Sequence, residues 1–153
     1  MRKLLLWVVP LLLLSCSKNE NPSQNQELEK PEAVAEFSFN SESRAIYEMA
    51  YRALEDNVMF VFKGENESVF QIGLKTPFVG QLNNVEDIYH NDDYLFYFED
   101  KEYLFTQYHA LKSGTIYVGR LEGEDNWDIK LDLILPEGSS FAFSYQAKIR
   151  KKE

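Results

Sequence analysis

Two histidines, one cysteine and 25 carboxylates are the side chains through which this 153-residue chain could do chemistry. His90 stands in "DIYHNDD", where Asp92 or Asp93 could orient it as a general base. No serine or cysteine motif supplies a nucleophile for such a base. A zinc site needs further His or Cys ligands at short spacing, and neither His90 nor His109 has them. His109, in "TQYHA", continues an aromatic stretch and reads as a packing or strand-edge residue. "EGEDNWD" gathers Glu122, Glu124, Asp125 and Asp128, oxygen ligands that calcium favours, but without the order of an EF-hand loop. It reads as a charged hairpin turn. No glycine-rich phosphate loop occurs. The expectation is a non-enzymatic protein with no metal or cofactor, with a hydrolase built on His90 and nearby acids as the more distant alternative.

The aromatic residues are more suggestive. Tyr89, Tyr94, Phe96, Tyr97, Phe98, Tyr103, Phe105 and Tyr108 crowd into twenty positions. Both faces of "YLFYF" are apolar, as in a strand covered on both sides. Alternatively, Tyr94, Tyr97, Tyr103 and Tyr108 present rings to a sugar or a protein partner, since tyrosine joins an apolar body to a polar tip. These four are the candidate ligand-binding residues, and a carbohydrate-binding accessory lipoprotein is the first alternative function.

The cysteine belongs to a different kind of chemistry. Arg2 and Lys3 precede an apolar run, Leu4 to Leu14, and small residues follow; this is the layout of a signal peptide. Eleven apolar residues fall short of the roughly 20 needed to span a bilayer. "LLSC", Leu13 to Cys16, resembles the bacterial lipobox, whose thiol is acylated, typically with palmitate-type chains, before the preceding peptide is removed. Cys16 has no partner for a disulfide within one molecule. The resemblance implies a lipid attachment point and a membrane partner. Residues 1–15 are then the signal peptide and 16–36 a flexible tether, "SKNENPSQNQELEKPEAVAE" after the cysteine. Its polar, proline-containing composition cannot bury enough surface to offset ordering entropy. Residues 37–153 remain for one folded domain.

Charge narrows the partners. The chain carries 16 basic and 25 acidic residues, and loss of Arg2 and Lys3 with the signal peptide leaves 14 against 25, or −11. That sign repels nucleic acid, so no nucleic-acid role is expected. Lys148, Arg150, Lys151 and Lys152 form a short basic exception at the C-terminus.

The elements that would carry these residues are strands. "WDIKLDLIL" places Trp127, Ile129, Leu131, Leu133 and Leu135 on one side of a period-2 pattern, and "FAFSYQAKI" does so with Phe141, Phe143, Tyr145, Ala147 and Ile149. Centring the intervening turn on Gly138 predicts Leu131 opposite Tyr145 and Asp128 opposite Lys148. Further hairpins are read at Val58–Lys63 with Val69–Leu74, and at Tyr94–Phe98 with Tyr103–Tyr108. A strand at Gly114–Leu121 leads into the Trp127 strand, and Glu36–Phe39 reads as an edge strand. Between residues 43 and 55, Ile46, Met49, Ala50, Ala53 and Leu54 have helical spacing, yet a strand would also fit. About eight strands with short turns predict a mainly β, antiparallel sandwich, or alternatively a barrel, with at most one short helix near 43–55.

"SGTIYVGRL", Trp127-x-Ile-x-Leu and "LPEGSSFAFSYQAKI" resemble the closing half of small lipoproteins common in Bacteroidota, and "TPFVGQLN" resembles a glycine-containing turn of their first half. The resemblance spans Val58 to Ile149. It implies a β-sandwich lipoprotein of the outer membrane, on either the periplasmic or the surface face, whose relatives mostly lack an assigned activity. The function expected is thus a lipid-anchored cell-envelope lipoprotein, a binding or assembly module with a protein or glycan ligand.

Overall fold

The structure, a computed structural model, describes residues 31–88, 93–101, 104–105 and 111–153. Cys16, His90, Tyr103, Tyr108 and His109 lie outside them. The described residues fall within one compact unit, Pro31–Glu153. Its strands are β1 (Ala35–Phe39), β2 (Glu42–Ala53), β3 (Asn57–Gly64), β4 (Val69–Lys75), β5 (Leu82–Ile88) and β6 (Tyr94–Glu99). They continue with β7 (Leu104–Phe105), β8 (Leu111–Arg120), β9 (Asn126–Ile134), β10 (Ser140–Lys148) and β11 (Arg150–Lys151). Short 3₁₀ turns at Glu65–Glu67 and Thr76–Phe78 are the helical elements among the described residues.

One sheet holds them, in the order β5-β8-β9-β10-β1-β2-β3-β4-β6-β7, with β11 added in parallel beside β2. The sheet is otherwise antiparallel and curls into a half-barrel, so the mainly β expectation holds. Its two halves face each other as the layers of a sandwich do, without a break between them. Ring contacts show how far it curls. Phe141 on β10 lies 5.0 Å from Phe70 on β4 and 4.9 Å from Phe96 on β6. Phe60 on β3 meets Trp127 on β9 edge-on at 4.9 Å. Among the described residues, the buried core runs from Phe37 to Ile149.

The terminal hairpin keeps its predicted faces but not its predicted register. Phe141 pairs with Leu133, Phe143 with Leu131, Tyr145 with Ile129, and Asp128 with Gln146 rather than Lys148. Gly138 is the last residue of the loop Pro136–Gly138, not its centre. Its φ of 86° is the left-handed conformation that ends a three-residue hairpin loop. The amide of Gly138 donates to Leu135 O at 2.9 Å, and Leu135 N to Ser139 O at 2.8 Å. The offset is two residues, and the pleat has period two, so Trp127, Ile129, Leu131, Leu133, Phe141 and Phe143 still face the core, while Ala147 near the end of β10 is exposed. Leu131→Ala should therefore cost about 2–5 kcal/mol. Ser144→Ala on the opposite face should stay within about 0.5 kcal/mol. Urea unfolding measures both, and equal costs would refute the face assignment.

Residues 43–53 of segment 43–55 are strand, within β2, and the helix admitted there does not form. Ile46 pairs with Gly64 and Glu48 with Lys63, so Tyr47 is the extra residue of a bulge. Before it Arg44 and Ile46 point inward; after it Met49 and Tyr51 do, against Phe62 and Phe60. A bulge puts Ile46 and Met49, three apart, on one face, which is the spacing a helix would show. β1 is likewise not an edge strand. It lies mid-sheet, Phe37 opposite both Phe143 and Arg44.

Two polar contacts tie opposite walls together. Arg44 on β2 pairs with Asp100 just after β6, with side-chain exposures of 12% and 3%. At the other end of the core the Tyr51 hydroxyl donates to Asp125 in the β8–β9 turn. Burial first, then the hydrogen bond and charge of Asp125, push the Tyr51 hydroxyl up to about 12. A folded-state pKa above the unfolded value of 10 adds stability below pH 10 that is lost as pH rises through 12. Melting temperature should fall across that window, and Tyr51→Phe should flatten the fall. An unchanged slope in Tyr51→Phe would rule this out.

Candidate binding surfaces

The two described members of the tyrosine set do not share a face. β6 alternates with Phe96 and Phe98 buried, so Tyr94 is on the core side and Tyr97 on the outer side. Tyr94 closes a seam. Its hydroxyl donates to Asn83 Oδ1 at 3.0 Å, joining β6 to β5 at the far end of the sheet, and its ring lies 5.5 Å from Phe78. Asn83 is itself held by its amide donating to Gln81 O at 2.8 Å. Burial, with the charge of Asp93 behind it, raises the Tyr94 hydroxyl above its usual pKa. Tyr97 is half-buried beside Gln71 on β4, its hydroxyl turned to Glu99.

The first half of "EGEDNWD", Glu122–Asp125, is a turn, as its composition suggests, and Asn126, Trp127 and Asp128 begin β9. Asp125 takes a φ of 64°, the Asn126 amide donates to Glu122 O at 2.7 Å, and Leu121 N reaches Asn126 O at 3.0 Å. Among the described residues no three His, Cys, Asp or Glu side chains gather at metal-binding distance. None of the described helices is long and apolar enough to cross a membrane.

Among the described residues, two depressions in the sheet surface have room for a ligand. The first lies on the outer face, where pairing aligns Ser43, Ser38, Ala142, Asp132 and Thr115 across five strands. These short side chains leave a shallow groove of about 580 Å³, with Glu36 and Lys130 at its margins. Glu36 accepts a hydrogen bond from Ser43 Oγ at 2.7 Å. Lys130 is bound to Asp128 at 3.0 Å, leaving Asp132 as the exposed carboxylate of the row.

The second depression follows from the shortness of β1. β1 pairs with β10 only over Phe37–Phe39, while β10 runs on to Lys148 and β2 to Ala53. Past the start of β1, β10 and β2 are separated by a gap until β11 pairs beside Ala50 and Tyr51. The chain after β10 then crosses to β2, with Ile149 N donating to Asp125 O at 2.9 Å and Arg150 pairing beside Ala50. The result is a cleft of about 600 Å³ lined by Val34, Tyr47, Glu48, Met49, Tyr145, Lys148 and Arg150.

No protein-family model, curated protein or solved structure matches the chain. The site therefore stands on its own geometry.

The walls of the cleft are apolar and its rim is charged. Met49 and Tyr145 pack against the core, Tyr145 stacking on Phe143 at 6.3 Å and donating its hydroxyl to Lys148 O at 3.2 Å. Burial raises the Tyr145 hydroxyl above its usual pKa. Glu48 receives Lys63 Nζ at 2.9 Å and Arg150 Nη2 at 3.1 Å. The hydrogen bond from Lys63 lowers its pKa first, burial opposing, and the charges of Lys63, Arg150 and Lys152 lower it further. The basic tail is thus folded against β2 rather than trailing from the domain. Sequence reading singled out that tail but not its neighbours Tyr47 and Tyr145. A bulge hides the first, and the second reads as one more alternating core position.

Proposed function

We propose that the protein is a lipid-anchored cell-envelope lipoprotein acting as a non-enzymatic binding or assembly module. The observation that carries this reading is the order along the sequence: the lipobox-like "LLSC" ending at Cys16, then a polar stretch, then the residues of the fold. The core begins at Phe37, and the compact unit begins at Pro31. A signal peptide ending at a lipobox-like cysteine is thus followed by a polar segment and then by a self-contained domain. An acylated Cys16 would tether that domain to a bilayer. The wide, shallow groove and the amphipathic cleft suit binding of a partner. Both open on the sheet surface, away from the packed interior. The module belongs to the outer membrane on this reading.

Cys16→Ala tests the anchor. The variant precursor should remain uncleaved at this position and leave the membrane fraction after carbonate washing. A Cys16→Ala chain that still processes and fractionates normally would overturn the lipoprotein reading.

A further inference from the structure

We propose that the cleft between β2 and β10 is a binding site for an anionic amphiphile, a molecule with a carboxylate or phosphate head on an apolar body. Four observations converge on that chemistry. The walls, Val34, Tyr47, Met49 and Tyr145, offer apolar and aromatic surface, and Met49 and Tyr145 are fixed by contact with the core. The rim carries Lys148 and Arg150, with the charges of Lys63 and Lys152 also reaching Glu48. Glu48 is the one acid in the lining and is already engaged by both Lys63 and Arg150. This local excess of cations stands in a chain whose net charge is −9. The depression, about 600 Å³ and open to solvent, has room for a small ligand lying along it.

The head would sit at the rim, where the Arg150 guanidinium presents a planar fork to carboxylate or phosphate and Lys148 adds a second cation. The tail would lie between the two tyrosine rings and over Met49, whose flexible thioether adapts to irregular apolar shapes. Electrostatic selection follows. A cationic head on the same tail meets the rim with like charge, and a bare anion finds no use for the walls.

This assignment names the ligand class of the binding module proposed above, and it is independent of the anchor. The test uses the unlipidated chain from Ser17 onward, which contains the whole compact unit. Dodecyl phosphate, kept below its micelle concentration, is titrated by calorimetry, with dodecyltrimethylammonium and inorganic phosphate run in parallel. One saturable site is expected for dodecyl phosphate, at least tenfold tighter than for either comparison probe. Lys148→Gln with Arg150→Gln should weaken it at least tenfold with the melting temperature nearly unchanged. Glu48→Gln should tighten it severalfold, an effect that a merely structural role for Glu48 would not produce.

The source of the ligand is read from a second arm with vesicles of phosphatidylglycerol and of phosphatidylcholine. Binding of the monomer without retention on phosphatidylglycerol vesicles supports a free amphiphile. Retention on phosphatidylglycerol alone, lost in the double variant, supports a bilayer lipid entering the same site. Absence of both, or equal binding of the cationic probe, overturns the proposal. None of these outcomes depends on acylation of Cys16, so the anchor reading fails or survives separately.

Discussion

Removing either partner of the Arg44–Asp100 pair is expected to cost about 3–5 kcal/mol, a large fraction of the stability of a domain this size. Asp100 is nearly inaccessible, its side chain 3% exposed, and Arg44 is 12% exposed with its guanidinium 5.0 Å above the Phe39 ring. Asp100→Ala leaves that guanidinium in an apolar setting with only Glu42, 3.8 Å away and well exposed, to answer it. Arg44→Ala takes the Arg44 cation away from a carboxylate that is 3% exposed. Replacing both, as Arg44→Met with Asp100→Leu, should recover most of the loss, because the cost lies in an unpaired buried charge and not in the absence of a pair. Urea denaturation of the two single variants and the double variant measures the cycle. Single variants within 1 kcal/mol of the parent would mean that the pair is wet and the walls of the half-barrel are not tied there.

Phe141→Ala is the second large effect, about 3–5 kcal/mol for a fully buried phenylalanine. Phe141 has no exposed surface and meets four rings: Phe37 at 5.3 Å, Phe70 at 5.0 Å, Phe96 at 4.9 Å and Phe98 at 5.3 Å. Phe37 comes from β1, the hydrogen-bonded neighbour of β10, and the other three rings come from β4 and β6, so one side chain on β10 reaches two strands of the facing wall. Truncation leaves a cavity that this rigid aromatic setting cannot close. Leu82→Ala, at a position 67% exposed, serves as the comparison and should stay within about 0.5 kcal/mol. If the two cost the same, the curl of the sheet about Phe141 is wrong.

How much of this fold was legible depended on whether the deciding interaction was local. Strict alternation along Trp127–Leu135 and Phe141–Ile149 identified the faces of β9 and β10, because a period of two survives any even error in register. The register itself depended on which loop position Gly138 occupies, and composition alone does not separate the centre of a turn from its left-handed final residue. At Tyr47 a bulge mixed two strand phases into a helix-like pattern. β1 was short and next to the polar segment, which suggested an edge, yet it is central because β10 returns from more than a hundred residues away to pair with it. Arg44 and Asp100, 56 positions apart, carried no local signal that they would meet.

The site was less legible than the fold, for the same reason. Tyr94 and Tyr97 belonged to one aromatic cluster in sequence, but an odd spacing on a strand sends them to opposite faces. The amphipathic cleft is assembled from the bulge of β2, the end of β10 and the returning tail, three segments brought together by the curl. Cys16 is the opposite case. Its meaning lies in the residues directly around it, "LLSC" at the end of an apolar run, and no tertiary contact is needed to read it.

Acylation of Cys16 is accordingly the most direct test of the functional account. Intact-mass and peptide mass spectrometry of the native protein, taken from membranes by detergent, measures it. A lipoprotein gives a chain whose first residue is Cys16, heavier by a thioether-linked diacylglyceryl group. A native protein that retains residues 1–15, or begins elsewhere with an unmodified Cys16 thiol, contradicts the account.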